Sequence, residues 1–81
     1  MVLDRNNLPD LLEKTLTTLG GQASIIKVCE CFWDTYENDL RNSGDLFYTW
    51  QYDIRWAATE LRKSGTMKSA KVSPKGVWEL I

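Results

Sequence analysis

Trp50-Gln-Tyr-Asp-Ile-Arg-Trp-Ala57, continued by Leu61-Arg-Lys-Ser-Gly65 and by Ser73-Pro-Lys-Gly-Val-Trp-Glu-Leu80, is the stretch on which the reading of this chain turns. Phe47, Trp50, Ile54, Ala57, Ala58 and Leu61 fall within about 100° of helical arc, a stripe wide enough to face a core. Gly65 supplies a stop. Beyond it the pattern shortens to alternating residues around Met67 and Ser69 and again from Val77 to Leu80. Pro74 and Gly76 mark a turn between the two runs. The stretch predicts a helix over 46–64, then wing strands over 67–70 and 77–80 joined by a basic loop.

Upstream, Leu8, Leu12, Leu16 and Leu19 recur at helical spacing, with Pro9 in the first turn and Asp10 and Glu13 at the positive end of the dipole. This predicts a helix over 8–19, ended by Gly20-Gly21. After an extended Gln22-Ala-Ser24, the residues Ile25, Val28, Cys29, Phe32, Trp33, Tyr36 and Leu40 predict a second helix over 25–37, with Ser24 as its N-cap. The turn formers of 38–45 predict the loop into the third helix, capped by Ser43 or Asp45. The order is helix, short strand, helix, helix, strand, strand. It predicts one α+β domain over 1–81, a winged helix-turn-helix with three helices and a small two- to three-stranded antiparallel β-wing.

An 81-residue chain makes one small domain, burying roughly 60–65% of its unfolded surface, so most of its large apolar residues are expected in the core. No stretch reaches the roughly 18 apolar residues of a spanning helix, and the first residues lack a signal peptide's pattern, so a cytoplasmic protein without membrane contact is expected. Cys29 and Cys31 sit two apart in a predicted helix, pointing about 200° from each other, which excludes a mutual bridge or joint chelation. With no histidine and no further cysteine, no metal site is expected, and the two thiols read as buried and reduced.

The net charge of −1 conceals a polarity along the chain. Residues 1–54 carry four basic and nine acidic side chains; residues 55–81 carry six and two. A basic end on an acidic body is the form of a local electrostatic footprint, although a small domain also segregates charge by chance. No catalytic constellation is present, there being no histidine for base work and no phosphate-cradling glycine loop. Glu30, Asp34 and Glu37 read as a solvated face, and the Ser73–Lys75 pair is too common in loops to carry weight. Neither an enzyme, nor a cofactor, nor a small-molecule substrate is expected.

The string Trp50-x-x-x-Ile54-x-Trp56-Ala57-x-x-x-Leu61-x-Lys63-x-Gly65, followed by Ser73-Pro-Lys-Gly-Val-Trp78-x-Leu80, resembles the N-terminal winged-helix domain of the Mrr-type restriction proteins. The likeness is strong from Trp50 to Leu80 and weak from Leu8 to Leu40. It implies a DNA-reading module, and because these residues include no nuclease domain, no endonuclease activity is carried over. Two positions depart from the pattern: Thr66 follows the glycine where a hydrophobic residue is common, and a second basic residue of the wing is displaced to Lys71.

Duplex DNA is therefore the expected partner. In helix-turn-helix docking, Gln51, Tyr52 and Arg55 approach base edges while Thr59, Arg62 and Lys63 approach the backbone. Lys68, Lys71 and Lys75 on the wing supply phosphate contacts that position without reading sequence. Each of these side chains also reads as an ordinary solvated surface group. Trp56 lies off the apolar stripe, and either packs under the wing near Trp78 or is exposed to a partner. A protein-interaction or homodimerisation module of the same fold is the alternative, with Tyr48 and Tyr52 as its contact surface.

Overall fold

The computed structural model describes residues 2–81, and its three helices follow the apolar periodicities closely. A 3₁₀ turn, Arg5–Asn7, leads into α1 (Leu8–Thr18); β1 (Gln22–Ser24) follows, then α2 (Ile25–Arg41), α3 (Leu46–Lys63) and β2 (Val77–Glu79). The described residues thus form an α+β arrangement of three helices and a two-stranded antiparallel sheet.

The core lies where the three helical stripes meet. Leu8, Leu12 and Leu16 of α1, Val28, Phe32 and Leu40 of α2, and Ile54, Ala57 and Ala58 of α3 are fully enclosed. Phe32 is the centre of an aromatic group. Its ring stacks on Trp50 at 5.6 Å and tilts against Tyr36 at 4.8 Å, while Trp33 stacks on Trp50 at 5.9 Å. Ala57 and Ala58 have no bulk to hold neighbours away, which allows the close approach of α1 and α3.

The second helix runs four residues beyond the predicted 37. Asn38 to Arg41 are helical despite their turn-forming side chains, because burying Leu40 completes the α2 stripe and Arg41 gains a bond from its Nε to Glu37 Oε2 at 2.8 Å. Neither predicted cap of α3 acts as one. Asp45 occupies the N-cap position without a side-chain bond, and Ser43 Oγ instead accepts from Leu3 N at 2.8 Å and donates to Asp39 O. Ser24 does cap α2, its Oγ accepting from Lys27 N at 3.1 Å.

The predicted strand over 67–70 does not form. The sheet pairs β1 with β2, in register Gln22↔Glu79, Ala23↔Trp78 and Ser24↔Val77, and Met67 contributes one isolated bridge to Leu80. After Lys68 N donates to Glu79 O, the chain turns: Val72 N and Ser73 N both donate to Ser69 O. Those local bonds consume the groups a longer ladder needs, so the alternation near Met67 and Ser69 ends after one bridge.

The third helix ends in a Schellman motif. Thr66 N reaches Leu61 O at 2.8 Å and Gly65 N reaches Arg62 O at 3.1 Å, with Gly65 at φ +80°. A Cβ at that position meets nothing within 4 Å, so Gly65→Ala isolates the backbone penalty of a left-handed alanine. The expected loss is about 1–2 kcal/mol, measured by urea unfolding with the m-value unchanged.

Candidate functional site

The exposed ridge of α3 and the loop before β2 form the two walls of one open groove of about 580 Å³. Arg55, Thr59 and Arg62 line it from the helix, and Ser73, Lys75 and Gly76 from the loop. Each wall follows from local chemistry. On α3 the apolar stripe faces the core, so side chains half a turn away face outward. The loop is fixed by bonds at both ends: Val77 N donates to Pro74 O at 3.1 Å, and Gly76 O accepts from Ile25 N at 2.9 Å, which ties the loop to the first residue of α2. Gly76 supplies the positive φ, +76°, that this turn requires.

No carboxylate lines the groove, and among the described residues Arg55, Arg62 and Lys75 take part in no ion pair. Both acids of α3 lie about 100–140° around the helix from its exposed ridge. Asp53 is turned toward the N-terminal segment, where it accepts from Thr49 Oγ1 at 2.7 Å and lies 3.7 Å from Arg5 Nε. Arg62 is half-buried, and its Nε donates to Lys68 O at 3.4 Å, which anchors the guanidinium beside the loop. Thr59 Oγ1 donates back to Arg55 O at 3.3 Å. The result is three uncompensated cations around one concavity on a chain whose net charge is −1.

The nine residues expected from sequence divide into groups. Arg55, Thr59, Arg62 and Lys75 come together in this groove. Tyr52 is 76% exposed on the same helix face, and Lys63 is exposed in the last turn of α3. Gln51 faces a second cleft, between α2 and α3, lined also by Cys29, Glu30, Trp33, Phe47 and Trp50. Lys71 is exposed in the turn that replaces the predicted strand, its N bonded to Ser69 Oγ. Lys68 departs from expectation. Its Nζ lies 3.1 Å from Glu79 Oε2, on a carboxylate that is mostly buried, so its charge is already neutralised on the side of the molecule that carries Gly20–Gln22.

Trp56 does not pack under the wing. It is half-buried against the core, and the Arg5 guanidinium lies 4.0 Å over its ring, a cation–π contact that places it toward the N-terminal turn. Seven residues of the groove, Ser73 and Gly76 among them, are absent from the expected set. The only signal for Ser73 is its place before Pro74 and Lys75, and that spacing is common in loops.

Cys29 and Cys31 are both free thiols, but half-buried rather than enclosed. Burial pushes the Cys29 thiol above its ordinary value of 9.0, with Arg55 pulling weakly the other way. A thiol protonated more tightly in the folded state contributes stability that is present below pH 9 and declines as pH rises through the folded value. Alkylation at pH 8 is accordingly expected to proceed more slowly at Cys29 than at a free cysteine, as peptide mapping by mass spectrometry will show.

Among the described residues no helix is long and apolar enough to cross a membrane, and no group of three or more His, Cys, Asp or Glu side chains is arranged to hold a metal ion. Comparison with known proteins returned no matching family model, no matching curated protein and no matching solved structure.

Proposed function

We propose that this chain is a duplex-DNA-binding module of winged-helix type, with α3 entering the major groove and the loop before β2 resting on the backbone. The observation that carries this reading is the groove itself: Arg55, Arg62 and Lys75 converge on it with no carboxylate to neutralise them. Four residues separate α2 from α3, the tight connection a helix-turn-helix uses. A helix with side chains is about 10–12 Å across, which suits a major groove about 12 Å wide. The likeness of Trp50–Leu80 to the N-terminal module of Mrr-type proteins points the same way.

In this docking Arg55 reaches base edges, where it pairs with guanine, and Tyr52 extends the contact along the ridge. Thr59, Arg62, Lys63 and Lys71 lie nearer the backbone. Gln51 reaches a base edge only from the rim of the α2–α3 cleft.

Titration of a labelled random duplex tests the reading. Affinity is expected to fall steeply between about 50 and 200 mM salt, as counterion release requires. Lys75→Gln is expected to weaken binding several-fold and to make the salt slope shallower by about one, whereas Lys68→Gln leaves the affinity within about twofold, since Lys68 is already paired with Glu79. Absence of binding to any duplex at about 50 mM salt overturns the proposal.

One set of observations favours a second reading, as a homodimerising or partner-binding module. Ile26, Tyr48 and Tyr52 are 81%, 82% and 76% exposed, an unusual outward display of large side chains for so small a domain. Light scattering that shows a concentration-dependent dimer, with no duplex binding, decides for that alternative.

A further inference from the structure

The outward ridge of α3 changes character along its length. Tyr48, Tyr52, Arg55, Thr59 and Arg62 fall within about 80° of helical arc, so they form one line down the helix, about 21 Å long. The C-terminal half of that line is the cationic wall of the groove. The N-terminal half is aromatic: Tyr48 and Tyr52 are 82% and 76% exposed, and Tyr48 is steadied by an edge contact with Phe47 at 4.9 Å. Two rings that the core does not use, in line with cations that no carboxylate compensates, define a ligand more narrowly than either feature alone.

A fully paired duplex satisfies only half of this line. In a major groove the bases present their edges, which suits Arg55, but their faces are covered by the stack and offer nothing flat to Tyr48 and Tyr52. An unpaired strand offers both chemistries, base faces that stack on aromatic rings and phosphates that meet cations. The rise from Tyr48 to Tyr52 is about 6 Å, far enough for the two rings to take neighbouring bases of an extended strand. Charge points the same way. Asp45, exposed at the N-cap of α3 less than one turn before Tyr48, disfavours the fixed phosphates of a duplex at that end, whereas a flexible single strand turns its phosphates away. A second copy of the chain would cover the rings, yet its own ridge carries the same cations and none of the negative charge that the groove lacks.

We infer that Tyr48 and Tyr52 stack on unpaired bases, so that the preferred ligand is duplex DNA that ends in, or opens into, a single strand. The cationic groove holds the duplex backbone, and the tyrosines take the bases just beyond the junction. The inference rests on the nucleic-acid reading of the groove and narrows its substrate class. Stacking tolerates any base, so the selection is for DNA structure and not for sequence.

The test uses the whole chain and three forms of one labelled DNA: a blunt duplex, the same duplex with a short oligothymidine tail on either strand end, and the oligothymidine alone. Affinities are read by fluorescence anisotropy over a range of salt for the wild type, Tyr48→Ala, Tyr52→Ala and Tyr52→Phe. Light scattering records the mass of each free protein. Both tyrosines are exposed, so Tm is expected to stay within a few degrees in every variant.

The wild type is expected to bind the tailed duplex about tenfold more tightly than the blunt one. Y48A and Y52A are each expected to lose most of that preference, with the blunt-duplex affinity and the salt slope unchanged, because no charge is removed. Y52F keeps the ring and is expected to keep the preference, which separates stacking from a hydrogen bond made by the hydroxyl. Should an alanine variant prove unstable, Tyr52→Leu keeps apolar bulk without a flat face; full retention of the preference in that variant overturns the inference. Equal affinity for blunt and tailed duplexes also overturns it and leaves the duplex reading intact. Tyrosine-dependent binding of the oligothymidine without any binding of the blunt duplex leaves the stacking site standing and overturns the duplex reading. A dimer that is lost in Y48A and Y52A, with DNA binding unchanged, overturns the inference and assigns the rings to a second copy. Failure to bind any of the three DNAs overturns both.

Discussion

Replacing Phe32 by alanine is expected to leave the protein largely unfolded at moderate temperature. The ring is fully enclosed and joins α2 to α3 through its stacking on Trp50. Truncation of a buried phenylalanine costs about 3–5 kcal/mol, combining lost transfer energy with the cavity left behind. A domain of this length has a total stability of only about 4–12 kcal/mol. The expected signature is a fall in Tm of at least about 15 °C with a broadened transition, followed by circular dichroism. Phe32→Leu keeps most of the volume, and a loss of only about 1 kcal/mol is expected for it. Equal effects of the two substitutions would show that the aromatic group is not what joins the helices.

The largest effect on function is expected from Arg55→Glu combined with Lys75→Glu. Both side chains are exposed, so the fold is expected to survive with its Tm within a few degrees. The two reversals change the charge around the groove by four units, from three cations to one cation and two anions. Duplex affinity at about 50 mM salt is expected to fall by at least about 100-fold, and the residual salt slope to become shallower by about two. A reversal of Lys14, which lies outside the groove, serves as the control for nonspecific charge. A comparable loss in that control would mean that overall charge, and not the groove, governs binding.

The helices were legible from sequence because helical contacts are local. The i, i+3, i+4 spacing of Leu8, Leu12 and Leu16, or of Trp50, Ile54, Ala57 and Leu61, is itself the geometry of a buried stripe. The end of α2 was misjudged for a related reason. Asn38, Asp39 and Asn42 favour turns as individuals, whereas burial of Leu40, a tertiary effect, carries the helix on to Arg41. The strand expected over 67–70 failed because alternation over four residues does not reveal whether a partner lies alongside. β1, more than fifty residues away, pairs with one edge of β2; on the other edge Met67 makes a single bridge to Leu80 before Ser69 diverts its neighbours into a turn.

The candidate site divides in the same way. Residue types and helical phase place Arg55, Thr59 and Arg62 on one face of α3, and nothing beyond the period of the helix is needed for that. Distances between charges are set by the fold. Lys68 and Lys75 are both lysines of the same basic segment and equivalent in sequence. Only the bridge that lays Lys68 alongside β2, its N donating to Glu79 O, brings Lys68 Nζ to the Glu79 carboxylate and separates a neutralised lysine from an uncompensated one. Ser73 shows the limit most clearly: one serine among several in the chain, it is buried with its hydroxyl unpartnered because of the bonded turn around it. Period and composition are one-dimensional and announce helices and their faces. Which charges meet, and which polar atom is left unpaired, depends on contacts between distant segments and exists only once the chain has folded.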